Sequence, residues 1–131
     1  MRKVFILPAL LLAMAVARAD IAPTPDAGPF SLSVAGLEFQ IQPVVVKYPP
    51  GYTKTFQVAV LTGCQAGHRN CTLARRKNLI GMEVDSVNGA SLRPEEGQLH
   101  QIGEAFKKGD VALELYRRQG GITVTVSFAA H

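Results

Sequence analysis

One segment of the sequence, residues 93–109, restricts the fold more than any other because its pattern is that of an amphipathic helix. Leu99, Ile102 and Phe106 fall on a single stripe of the 3.6-residue helical period. Gly109 follows two lysines and suits the end of a helix, where glycine readily takes the required backbone conformation. A helix with one apolar stripe has to bury that stripe against another element, so the sequence predicts one main helix that closes a hydrophobic core.

Short segments with period-two patterning lie on both sides of this helix. Alternating apolar and polar residues are typical of strands with one buried face, and Asn88-Gly89 adds a strong turn signal. Loops are predicted over 47–55 and 62–78. The predicted strands are 30–34, 36–46, 56–61, 82–87, 111–118 and 122–128. The expected fold class is therefore α+β: a small, mainly β, partly open barrel or sandwich with one main helix in its C-terminal half.

The N-terminus has the three parts of a secretory signal peptide. Arg2 and Lys3 form a short basic region, residues 4–16 are an apolar run of thirteen residues, and residues 17–19 give a small-x-small cleavage pattern. A membrane-spanning helix needs about 20 apolar residues, so this run is too short for one. We therefore predict cleavage after Ala19 and a periplasmic or secreted location.

The predicted mature chain is long enough for one domain with one core. Residues 20–29 are rich in proline and alanine and predict an extended leader, which leaves 30–131 as a single domain. Three of the 14 basic residues belong to the signal peptide, so 11 basic residues face 10 acidic ones. This balance gives no electrostatic argument for nucleic acid, and no second apolar run is long enough for stable membrane insertion.

Both cysteines, Cys64 and Cys71, lie in the predicted exported part of the chain. An even number of cysteines in an oxidising compartment favours a disulfide. A metal site is the alternative because His68 lies between them, but structural zinc takes four ligands, and only His100 and His131 remain as further histidines. We predict a Cys64–Cys71 disulfide and neither a metal nor another cofactor.

The order of elements and the residues of 80–128 resemble a PDZ domain of the bacterial type. The stretch "IGMEVDSVNGASL" is similar to the family's strand that ends in a V-N-G turn, and "PEEGQLHQIGEAFKKGDVALELYRRQGGITVTV" is similar to its peptide-flanking helix and final hairpin. Residues 36–39 (GLEF) resemble the family's carboxylate-binding loop, although Glu38 stands where that loop commonly has a second glycine. The resemblance covers roughly 30–128, and it includes Pro43, which cannot donate to a sheet ladder.

This resemblance implies that the chain binds a polypeptide by β-augmentation, in which an extended peptide adds a strand to a sheet edge. The peptide's terminal carboxylate would meet backbone N–H groups of the GLEF loop, and apolar side chains would form a pocket. The residues that the resemblance assigns to this site are Gly36, Leu37, Glu38, Phe39, Ile41, Leu99 and Ile102. The expected function is that of an exported, non-enzymatic adaptor or regulator of an envelope protease or a secretion system, with a protein or peptide partner.

Two other functions stay open. A secreted inhibitor or immunity protein would act through the loop 62–78, because a loop closed by a disulfide loses less entropy on docking. Its contact residues would be His68, Arg75 and Arg76. A small hydrolase would need a catalytic set such as Ser86, His68 and Asp85. The sequence contains no G-x-S-x-G, H-E-x-x-H or P-loop signature, so we predict no enzymatic activity.

Overall fold

The computed structural model describes the backbone of Asp20–Ile21 and, with side chains, residues 25–131. The predicted signal peptide, residues 1–19, lies outside the described residues. In chain order the elements are β1 (Asp20–Ile21), β2 (Ser31–Val34), β3 (Leu37–Tyr48), β4 (Tyr52–Cys64), α1 (Arg69–Arg76), β5 (Glu83–Val87), β6 (Ala90–Ser91), a 3-10 turn (Pro94–Glu96), α2 (Gln98–Lys108), β7 (Val111–Arg117) and β8 (Ile122–Phe128).

The strands form one sheet in the order β2-β3-β4-β5-β7-β8. The pairs β2–β3, β4–β5, β5–β7 and β7–β8 are antiparallel, β6 is antiparallel to β5, and β1 runs parallel to β4. The prediction of a small, mainly β domain of the α+β class is confirmed. The sheet is not closed. One detail differs from the prediction, because the described chain has two α-helices where one main helix was expected.

The chain divides into two compact units. One unit contains residues 43–56, which are the outer parts of β3 and β4, together with β1. The other unit contains residues 24–42 and 57–131. The buried hydrophobic cluster lies in this larger unit.

Helix α2 supplies the apolar stripe that the sequence predicted. Leu99, Ile102 and Phe106 are buried and belong to one cluster with the inward-facing residues of β5, β7 and β8. Burial of each such side chain contributes about 1.5–3 kcal/mol. The helix is therefore held by packing, although Gly103 in its interior lowers its intrinsic stability by about 1 kcal/mol.

The start of this helix differs from the prediction of a single helix over 93–109. Residues Pro94–Glu96 form a 3-10 turn, and α2 begins only at Gln98. Gly97, between them, has a φ of 82°, which a continuous right-handed helix does not allow. The chain therefore changes direction at Gly97 before the helix starts.

The predicted loop 47–55 is much shorter in the structure because β3 and β4 continue into it. The two strands are joined by residues 49–51, with a cis peptide bond between Pro49 and Pro50. The rings of Tyr48 and Tyr52 stack across the hairpin with their centroids 5.4 Å apart. Cross-strand aromatic pairs of this kind stabilise a hairpin. The turn residues of 47–55 predicted a loop and did not indicate this pair.

The prediction of a loop over 62–78 is wrong because this segment contains helix α1. The helix is capped by His68, whose Nδ1 accepts the N–H of Asn70 at 3.1 Å. Its inner face buries Cys71 and Ala74. An eight-residue helix is unstable by itself in water, so the cap and the buried face stabilise it. The sequence did not predict this helix because neither feature gives a long periodic pattern of apolar residues.

Candidate functional site

The chain makes a tight turn between β2 and β3, at the position where a carboxylate-binding loop was expected. Ala35 and Gly36 have φ values of 52° and 76°, as a two-residue hairpin turn with two left-handed residues requires. Val34 and Leu37 lie directly opposite each other on either side of this turn. The GLEF segment is therefore the turn glycine followed by the first residues of a paired strand.

Strand β2 covers the edge of β3. Leu32 lies opposite Phe39, and the N–H of Ile41 donates to the carbonyl of Phe30 at 2.9 Å. Alternate residues of an antiparallel strand direct their backbone groups to the same neighbour, and Pro43 is the next residue of this series. Pro43 has no N–H to donate, so the ladder ends before it, although β3 itself continues.

The chain that leads into β2 runs along helix α2. At the start of the helix, Oδ2 of Asp26 accepts the N–H of Gln98 at 3.1 Å. Further along, the methyl groups of Leu32 lie 3.6 and 3.8 Å from the position that a Cβ would take on Gly103. We call residues 26–34 the groove segment, because this stretch lies against α2 and its strand β2 pairs with β3.

The first part of the groove segment is firmly anchored. Asp26 is only 8% exposed, and its second carboxylate oxygen accepts the N–H of Gly28 at 3.0 Å. A Cβ on Gly28 or on Gly97 would lie 2.8 Å from the Cα of the other glycine, so neither position has room for a side chain. The predicted leader 20–29 therefore ends in a packed contact, and a carboxylate at a helix N-terminus is also favoured by the helix dipole.

Most of the predicted peptide-site residues lie beneath the groove segment as part of the hydrophobic core. Four of them have 0% exposure: Leu37, Phe39, Leu99 and Ile102. Ile41 is half-buried and packs against the same cluster. These side chains can support a strand in the groove, but the four fully buried ones have no surface that a partner could contact while the groove segment is in place. Their role in peptide binding stays a prediction.

Glu38, the residue that departs from the family's loop, leans toward β4. Its Oε2 lies 2.7 Å from the position that a Cβ would take on Gly63, so the missing side chain at Gly63 provides the space. The hydroxyl of Thr62 donates to the Glu38 carbonyl at 3.2 Å. Since β4 and β2 flank β3 on opposite edges, the Glu38 carboxylate is directed away from the groove segment.

Asn70 connects helix α1 to two other parts of the chain. Its Nδ2 donates to the carbonyls of Ala35 and Ala129, at 2.8 Å each, and its Oδ1 accepts the N–H of Ala129 at 3.0 Å. The residue is 2% exposed. Sequence reasoning missed this role because a single polar residue carries no periodic signal, and the tripeptide NCT that it begins matches a glycosylation sequon.

His68 is half-buried and not the exposed contact residue that was expected for the loop 62–78. Its ring lies directly over Gly36, in the space that a side chain at that position would need. The carbonyl of Gly36 accepts the N–H of Gln65 at 2.8 Å. With its Nδ1 engaged in capping α1, His68 fixes the β2–β3 turn against the start of the helix.

The predicted disulfide between Cys64 and Cys71 is confirmed. It joins the end of β4 to the first turn of α1. Both sulfur atoms are used in this bond, so neither serves as a thiolate ligand or as a nucleophile. The Nε of Arg75 donates to the Sγ of Cys71 at 3.3 Å, which places this arginine beside the disulfide.

Helix α1 presents the cations that were expected on the partner loop. Arg75, Arg76 and Lys77 are exposed, and the helix contains no acidic residue. Arg117 lies at the same end, because its Nη2 donates to the carbonyl of Asn78 at 2.5 Å. The C-terminal end of α1 is therefore a concentrated area of positive charge.

A cluster of charged side chains lies on β5, on β7 and at Arg118, the residue after β7. Buried Glu83 accepts the Nε and Nη2 of Arg118 at 2.9 and 2.7 Å, and this hydrogen bonding raises the pKa of Arg118. Burial, and then the carboxylates of Glu114 and Glu83, raise the pKa of Asp85. The pairing of Glu83 with Arg118 satisfies a carboxylate that would otherwise be costly to bury.

Ser86 was grouped with His68 and Asp85 as a catalytic set. Ser86 is buried on β5, opposite Glu114 of β7. His68 lies before α1, where its Nδ1 accepts a helix N–H. His68 thus has a structural role as the cap of α1, and hydrolase activity stays an untested alternative.

No helix in the described part of the chain is both long and apolar enough to cross a bilayer. Three features of the described residues could recognise a partner. These are the groove between β3 and α2, the cationic end of α1, and the two outer strands of the sheet. Comparisons of the chain with protein-family models, with curated proteins and with solved structures found no match.

Proposed function

We propose that the mature chain is an exported, non-enzymatic module of the PDZ type, which binds an extended polypeptide in the groove between β3 and α2 and acts as an adaptor or regulator. The observation that carries this proposal is the present occupant of the groove. An extended strand, β2, is held there by a ladder with β3 and by contact with α2. β-augmentation uses the same interactions to hold a partner's strand.

Export is supported by two features. The N-terminal sequence has the basic, apolar and small-residue parts of a signal peptide. The Cys64–Cys71 disulfide is typical of oxidising compartments outside the cytosol.

The groove segment indicates the chemistry of a suitable partner. Its Asp26 carboxylate accepts an N–H at the start of α2, and its Leu32 side chain uses the space above Gly103. A partner strand that took the same place would carry a carboxylate, with a leucine-sized apolar residue six positions later. Residues that favour extended backbone between them would complete the ladder with β3.

A partner has to compete with the groove segment. The two-residue turn keeps β2 next to β3 at a high effective concentration, of millimolar order or above. The apparent affinity for a partner is therefore reduced by the fraction of molecules in which the groove is open. The first part of the segment is anchored at Asp26 and Gly28, but its strand part is held less firmly, because only four residues pair in β2 and Phe30 beside them is 70% exposed.

The proposal is tested with a fluorescent peptide that has the sequence of residues 25–34, PDAGPFSLSV. Fluorescence polarisation measures its binding to the mature chain and to Leu32→Ala. The substitution weakens the internal segment but not the added peptide. It removes three carbon atoms of a half-buried side chain, so the peptide's affinity should rise by about tenfold, which corresponds to about two fully buried methyl-sized groups.

Two variants control this experiment. Ser33→Ala changes an exposed residue of the same strand and should leave the affinity unchanged. Gly103→Leu fills the space that the leucine of the peptide needs, so it should abolish binding while it favours the helix. If neither the mature chain nor Leu32→Ala binds the peptide, the groove mechanism is wrong.

A further inference from the structure

Strand β8 ends the sheet on the side opposite to β2. It pairs with β7 along all seven of its residues, and its outer edge has no partner strand in the described part of the chain. The sequence of the strand, ITVTVSF, contains neither a charged residue nor a proline. Those are the residues with which an edge strand ordinarily avoids pairing with another chain, so this edge is unprotected.

A cleft of about 370 Å³ lies along this strand and is lined by Lys77, Leu79, Val124, Thr125 and Val126. Consecutive residues of a strand point to opposite faces of the sheet. A cleft that three consecutive residues line therefore follows the edge of the strand and not one face. Leu79 and Val126 are buried, so the cleft has an apolar floor.

Positive charge borders the cleft at the end of α1. Lys77 lines the cleft directly, and the neighbouring Arg76 is exposed. Arg117 is bound to the carbonyl of Asn78, immediately after these residues. Glu83 on β5 is already paired with Arg118, so it does not neutralise these cations.

The cleft is also rigid. Asn70 of α1 binds the backbone of Ala129, directly after β8. The Cys64–Cys71 disulfide fixes α1 to the end of β4. A site whose walls are already ordered loses little conformational entropy when a partner docks.

We propose that the outer edge of β8 is a second binding site, which takes an extended acidic segment of a partner protein. The segment adds a strand to β8, places a small apolar side chain in the cleft, and sets aspartate or glutamate side chains against Lys77 and Arg76. This site lies at the opposite end of the strand order from the groove between β3 and α2. Failure of either proposal therefore leaves the other intact.

The test selects binders from a random 12-residue peptide library displayed on phage, with the mature, disulfide-bonded chain as the target. Peptides rich in aspartate or glutamate and in β-branched residues should be enriched. Amide chemical-shift changes in NMR spectra should then map the synthetic peptides to Ile122–Phe128 and Leu79. Peptides whose shift changes are confined to β2 and α2 report on the first groove and serve as an internal reference.

A charge reversal gives the quantitative result. Arg76→Glu/Lys77→Glu should weaken the binding of the enriched acidic peptides by about tenfold, as the loss and reversal of two exposed ion pairs would give. Lys107→Glu/Lys108→Glu makes the same change at the last turn of α2 and should leave binding unchanged. Thermal melts check that both variants are folded.

Three results would overturn the proposal. The first is a selection that enriches no peptide with acidic residues. The second is a set of acidic peptides that shift no amide of β8. The third is an affinity for the acidic peptides that is the same in Arg76→Glu/Lys77→Glu as in the control variant.

Discussion

The side-chain amide of Asn70 and the backbone of Ala129 are joined by two hydrogen bonds, 2.8 and 3.0 Å long. The same amide donates to the carbonyl of Ala35 in the β2–β3 turn. One buried residue of α1 thus connects the turn that positions the groove segment with the end of the strand that borders the second cleft. Both proposed sites depend on this residue for their shape.

Replacing Asn70 should therefore destabilise the whole larger unit. Asn70→Ala leaves two carbonyls and one N–H without their partner, and each such loss costs about 1–3 kcal/mol when the group stays buried. We expect the free energy of unfolding, measured with urea, to fall by about 3 kcal/mol after partial compensation by water. Thr72→Ala, an exposed change on the same helix, is the control. A loss for Asn70→Ala no larger than for this control would contradict the role of Asn70 in joining α1 to Ala35 and Ala129.

The close approach of Gly28 and Gly97 gives a second prediction. Gly97→Ala introduces a Cβ only 2.8 Å from backbone atoms of Gly28 and also strains a residue with a φ of 82°. Gly81 has a φ of 95° but open space around it, so Gly81→Ala measures the backbone strain alone, about 1–2 kcal/mol. Gly97→Ala should lower the unfolding free energy by more than this. Equal losses in urea titrations of the two variants would mean that the contact at Gly28 is not tight.

The disulfide gives a third prediction. Closing the short loop between Cys64 and Cys71 should stabilise the chain by about 2–3 kcal/mol in the chain-entropy model. Cys64→Ala/Cys71→Ala should lower the unfolding free energy by this amount, and reduction of the wild-type chain should have a similar effect. Circular dichroism in urea gives both values. An unchanged midpoint after reduction would show that the helix cap and the buried face of α1 are sufficient to hold the loop.

The raised pKa of Asp85 predicts how stability depends on pH. The native chain holds a proton at this carboxyl more tightly than the unfolded chain, in which the pKa is close to 3.8. The stability from this site is therefore present below pH 3.8 and is lost as the pH rises through the raised native value. Asp85→Asn should be more stable than the wild type at neutral pH, with the difference disappearing in acid. Urea titrations from acid to neutral pH measure the unfolding free energy of both proteins. If the two values were equal at every pH, the raised pKa of Asp85 would be contradicted.

The second half of the fold could be predicted because its signals are local. The strand before Asn88, the apolar stripe of α2 and the hairpin of β7 and β8 each repeat a period within a few residues. Asn88 and Gly89 do have positive φ values, as the turn signal required. A periodic pattern shows which face of a helix or strand is buried. It can be read without knowing which neighbouring element covers that face.

The groove segment and α1 could not be predicted in the same way. Leu32 and Gly103 are far apart in the sequence, and only the fold brings them together. The alternation of residues 30–34 did predict a strand, but it could not indicate that this strand would cover the edge of β3. The cap of α1 and its buried alanine are similarly set by tertiary contacts, which outweigh the weak helical propensity of a short segment.

The two-residue turn between β2 and β3 has a consequence for selectivity. Because it fixes the local concentration of the internal strand, that concentration does not change with the amount of protein or of partner. Under the proposed function, a partner at ordinary abundance opens the groove only if its sequence forms a better ladder with β3 than Ser31–Val34 does. The hairpin thus sets a threshold, and substitutions along one short strand can raise or lower it without any change to the groove itself.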